Sequence, residues 1–73
     1  MIKTECKSVF DFFEVVLTYD NVCDWYTVSV VYRDTRRNFF TRDYRNKGSA
    51  TRSYNSWVTK LSAIFNKEVS NVQ

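Results

Sequence analysis

The chain has 73 residues and a formal net charge of +3, from 11 Lys and Arg against 8 Asp and Glu. That length leaves room for a single small domain, residues 1–73, near the lower limit at which one core holds a fold. Histidine is absent, which removes the commonest general base and metal ligand, and most nucleophile systems with them. The chain is therefore expected to be no enzyme, with no catalytic residue, no metal ligand and no cofactor. Proline is absent, glycine occurs once and aromatics reach 18%, which excludes a linker, a collagen-like repeat or a disordered tail.

Cys6 and Cys23 fit neither a zinc nor a redox spacing. Met1 is followed by Ile2, Lys3, Thr4 and Glu5 rather than by an apolar leader, so a reducing cytoplasm with both thiols free is expected. No apolar run approaches the roughly 18 residues that cross a bilayer, so no membrane partner is expected.

Residues 8–20 carry two patterns. As a helix, Ser8 caps with Asp11 three residues on, and Val9, Phe12, Phe13, Val16 and Leu17 form a stripe. As a strand, Phe13, Val15, Leu17 and Tyr19 alternate with Glu14 and Thr18. A short helical turn near residues 8–12 leading into a strand to Tyr19 reconciles them. Asp20, Asn21 and Asp24 supply the turn of a hairpin. The next strand is the clearest, since Tyr26, Val28, Val30 and Tyr32 alternate with Thr27, Ser29 and Arg33. Trp25 and Val31 fall on its otherwise polar face and predict that this face is partly covered.

A turn around Asp34 and Thr35 leads to a third strand, Arg37 to Tyr44, in which the adjacent Phe39 and Phe40 are expected on opposite faces. Lys47, Gly48 and Ser49 read as the loop between sheet and helix. From Tyr54 to Val69, Tyr54, Trp57, Val58, Leu61, Ile64, Phe65 and Val69 recur at helical spacing, with Asn66, Lys67 and Ser70 among the residues of the other side. Ser53 or Asn55 is the expected cap. The fold class is α+β: a three-stranded antiparallel sheet packed by a C-terminal amphipathic helix.

Charge is unevenly placed along this frame. Residues 1–32 set Lys3 and Lys7 against Glu5, Asp11, Glu14, Asp20 and Asp24, a net of −3. Residues 33–54 set Arg33, Arg36, Arg37, Arg42, Arg45, Lys47 and Arg52 against Asp34 and Asp43, a net of +5. Tyr32, Phe39, Phe40, Tyr44 and Tyr54 are interleaved with these cations. Arginine forks onto phosphate or carboxylate and stacks on rings, so the block reads as a contact surface, with Trp25, Arg33, Arg36, Arg37, Phe39, Arg42, Tyr44 and Arg45 as its candidate residues. Solubility and edge protection are the competing explanation, and pairing with the acidic first segment would cancel part of it. Asp11 and Glu14, which share a helical face, read as solvated carboxylates, and Trp57 as core.

A short frame from Met1, rich in Tyr, Phe, Asn and Lys, poor in Gly and Pro and without a catalytic motif, resembles the small host-takeover proteins of lytic phages. Within that group it is similar to the small transcription regulators that bind host RNA polymerase. The resemblance implies a non-enzymatic regulator in the host cytoplasm, monomeric or homodimeric, whose partner is a host protein, RNA polymerase first. Nucleic acid held by residues 33–54 is the alternative partner, and capture of a phosphorylated ligand is a third role.

Overall fold

The computed structural model describes residues 1–65. Strands β1 (Ile2–Val9), β2 (Phe13–Asp20), β3 (Trp25–Tyr32) and β4 (Asn38–Tyr44) form one antiparallel meander in the order β1-β2-β3-β4, and helix α1 (Lys47–Ile64) packs on one face of it. The class is α+β, an antiparallel sheet packed by a C-terminal helix. The sheet has four strands rather than the three expected, and residues 8–12 hold no helical turn.

Strand β1 is the element the pattern did not announce. Cys6 lies opposite Leu17 and Ser8 opposite Val15, so this strand presents small and polar side chains to the core, with no apolar alternation to read. Thr4 pairs with Thr18 and Cys6 with Leu17, which makes Glu5 the extra residue of a bulge and shifts the alternation midway. Where a helical turn was expected, the chain instead reverses at residues 10–12, closed by the Phe10 N–H donating to the Phe13 carbonyl at 2.7 Å. This corner buries Phe10 completely and leaves Phe12 61% exposed.

Residues opposite each other in an antiparallel pair share a face. Phe13, Val15, Leu17 and Tyr19 are thus level with Tyr32, Val30, Val28 and Tyr26. Ala50, Tyr54 and Leu61 of α1 close over this face with Phe10 to make the core, and Trp57, Val58 and Phe65 pack at its margin. Tyr54 also reaches β1, where its hydroxyl and that of Ser8 lie 2.6 Å apart and buried. Burial pushes the Tyr54 phenol above its ordinary pKa, although the Ser8 bond acts the other way.

The helix begins at Lys47, about two turns before the expected start. Neither Ser53 nor Asn55 is its cap. The Asn46 side-chain oxygen accepts from the Gly48 and Ser49 amides at 2.7 and 3.2 Å, satisfying two otherwise unpaired donors. Lys47, Gly48 and Ser49 are therefore the first helical turn and not a loop. A Cβ at position 48 would come within 3.0 Å of the capping oxygen, so glycine leaves the cap its room. The helical positions expected at Asn66, Lys67, Val69 and Ser70 lie outside the described residues.

The β2–β3 turn is built as its residues predict, with Asp20 accepting from the Val22 amide at 2.9 Å and Asp24 at a φ of 60°. In β4, Val30 pairs with Phe40 but Val31 pairs with Asn38, so Phe39 is the extra residue of a second bulge. The expected opposition of Phe39 and Phe40 is lost there. Both rings come to Trp57 of α1, at centroid separations of 6.0 and 5.0 Å. Among the described residues, no helix is long and apolar enough to cross a membrane.

Candidate functional site

The arginine block that is continuous in sequence divides three ways in space. Arg33 and Arg36 bind within the fold. Arg33 fastens the β3–β4 turn to the β1–β2 corner, donating to the Phe10 carbonyl at 2.9 Å while its own amide donates to Phe12. Arg36, at a φ of 59°, reaches Glu14 on the open face of the sheet, Nη1 to Oε2 at 3.0 Å. Glu14 is not the solvated carboxylate expected from sequence, since only 8% of it is exposed. Its Oε1 lies 3.4 Å from Lys7 Nζ without a well-directed hydrogen bond. Burial raises the Glu14 pKa, but the Arg36 bond and the charges of Lys7 and Arg36 outweigh it and hold the carboxyl below its ordinary value.

Arg45 joins Trp25 on that same open face, its guanidinium 5.7 Å from the ring centroid. The partial cover expected for this face is thus supplied by cationic side chains at its two ends. Thr41 and Asp43 also lie there, bonded to Ser29 at 3.2 Å and Thr27 at 2.7 Å. Arg37 is exposed at the entrance to β4.

Arg42 and Tyr44 lie on the helix-covered face, level with Val28 and Tyr26. The Arg42 guanidinium sits 5.4 Å from the Tyr44 centroid, and the Tyr44 hydroxyl donates to Ser53 Oγ at 2.9 Å. One turn further along α1, Trp57 packs on Phe40 and carries Lys60 Nζ at 5.1 Å from its centroid. Arg42, Tyr44, Phe40, Trp57 and Lys60 therefore line one flank of β4. Lys60 was no candidate from sequence, although its place three residues after Trp57 is a helical neighbour spacing that points to the pair. Phe39 touches this flank through Trp57, continues in a chain of rings to Tyr32 and Phe13, and is 52% exposed.

Hydrogen-bond direction completes the geometry. The Tyr32 N–H donates to the Arg37 carbonyl, so the Tyr32 backbone faces β4. Facing alternates along a strand. Val30, Val28 and Tyr26 consequently face β4 as well, and their partners Phe40, Arg42 and Tyr44 direct their backbone groups to β3. Thr41 and Asp43 direct theirs outward. As β4 is the last strand, no strand among the described residues pairs with them. Arg37, Arg42, Arg45, Lys47, Arg52 and Lys60 form no ion pair among the described residues. The β4 edge thus offers backbone groups that no strand among the described residues pairs with, flanked by Arg42 and Lys60.

No protein family, curated protein or solved structure matches the chain.

Proposed function

We propose that this chain is a non-enzymatic regulator that docks on a larger protein machine through the β4 edge, with bacterial RNA polymerase as the first partner to test and the host cytoplasm as its place of action. The observation that carries the reading is the outward backbone of Thr41 and Asp43 beside the Arg42, Tyr44, Trp57 and Lys60 flank. Unpaired edge groups accept an added strand, which contributes main-chain hydrogen bonds, while neighbouring side chains select its sequence. Arginine, tyrosine and tryptophan are also the residue types that dominate protein interfaces. The absence of histidine agrees with a role in binding rather than catalysis.

Nucleic acid is the second reading, favoured by the six unneutralised cations. The rings weigh against it. Tyr44, Trp57 and Trp25 each already carry a cation, and Tyr44 and Trp57 also pack against the core, so these three rings are poor platforms for bases.

The test is retention of purified bacterial RNA polymerase by immobilised chain in moderate salt after nuclease treatment. Stoichiometric retention is expected. No retention, or retention that disappears with nuclease, contradicts the reading.

A further inference from the structure

We infer that the β4 edge takes an extended peptide segment with an acidic residue at its centre and apolar residues two positions to either side. This inference rests on the proposed docking role of β4 and names the class of segment that docks.

The register dictates the pattern. An antiparallel strand added to β4 bonds to the outward groups of Thr41 and Asp43, so Arg42 falls at a non-hydrogen-bonded position. At such positions opposite Cα atoms approach to about 4.5 Å, closer than at the bonded ones, and side chains meet directly. The incoming residue facing Arg42 shares the helix-covered side with Phe40 and Tyr44, which lie two positions away. That side carries Arg42 and Lys60. A carboxylate meets both attraction and a fork-shaped donor there, whereas a lysine meets repulsion. Residues level with Phe40 and Tyr44 lie beside aromatic rings that pack against the core and gain by being apolar.

Charge also bears on self-pairing. A second copy joined antiparallel about Arg42 or about Asp43 would set like charges opposite each other, and one joined about Thr41 would spend Arg42 on Phe40. The acidic segment of a different protein uses the edge better than any of these.

The experiment is fluorescence anisotropy with a labelled short peptide of alternating threonines, in which valine, glutamate and valine occupy successive positions on one face, and with its lysine-centred twin. Wild-type chain should bind the glutamate peptide about 10-fold more tightly than the lysine peptide, and R42E, an exposed edge change checked for folding by circular dichroism, should reverse the order. Equal binding of both peptides, or an order unchanged by R42E, overturns the acidic class while leaving strand addition standing. Failure of both peptides to bind, or binding indifferent to Thr41→Pro, which removes an outward N–H and, of the contacts with β3, only the side-chain bond to Ser29, overturns strand addition itself. A concentration-dependent dimer that excludes the peptide overturns the inference in favour of a second copy.

Discussion

Arg36 meets Glu14 at 3.0 Å across the open face of the sheet, joining the basic central segment to the acidic first one. Because the folded-state pKa of Glu14 is depressed, its contribution to stability is fully present above the ordinary glutamate value of about 4.3 and is lost as pH falls through the lower folded value. Wild-type stability should accordingly decline with acid below about pH 4. E14Q should cost about 1 to 2 kcal/mol at neutral pH and flatten that decline, as read by urea denaturation across pH. Asp20, lowered first by the Val22 amide bond, keeps its own share of the acid response in both proteins.

The β1–β2 corner gives the sharpest contrast between neighbouring residues of one type. F10A removes a ring with no exposed surface and should cost about 3 to 5 kcal/mol. F12A removes a mostly exposed ring in edge contact with Phe65 and should cost about 1 kcal/mol or less. Thermal denaturation of the two variants separates them.

How much of this was legible in the sequence follows from which signals are periodic. Strand β3 announces itself through Tyr26, Val28, Val30 and Tyr32, and the β2–β3 turn through Asp20 and Asp24, because both depend on local chemistry. The outward half of the fold was harder. Strand β1 offers Cys6 and Ser8 to the core, and Phe39 owes its place to a bulge that no single-strand pattern encodes. Helix α1 was recognised by its apolar spacing, yet its first two turns hold mostly polar residues around Ala50, so only the Asn46 cap marks the start. The arginine block was visible as composition, but strand alternation and a turn divided it. Arg42 and Tyr44 remain on the candidate flank, Arg45 and Trp25 pair on the opposite face, and Arg33 and Arg36 bind within the fold.

The cap at Asn46 should be measurable by itself. N46A leaves the Gly48 and Ser49 amides without their side-chain acceptor and should cost about 1 kcal/mol, read as a shift in the urea midpoint with unchanged slope.

The Ser8 and Tyr54 hydroxyls hold β1 to the helix. Y54F strands the buried Ser8 oxygen and should cost about 1 to 2 kcal/mol, whereas combining it with S8A should recover part of that loss. A double-mutant cycle by chemical denaturation yields the coupling.

The β4 edge is tested most directly by amide hydrogen exchange, resolved residue by residue, with and without the glutamate-centred peptide. In the free chain the Thr41 and Asp43 amides should exchange fast while those of Phe40 and Arg42, bonded to β3, stay protected. On binding, Thr41 and Asp43 should become protected as they pair with the added strand. A peptide that binds while those two amides continue to exchange at their free rate would contradict the account.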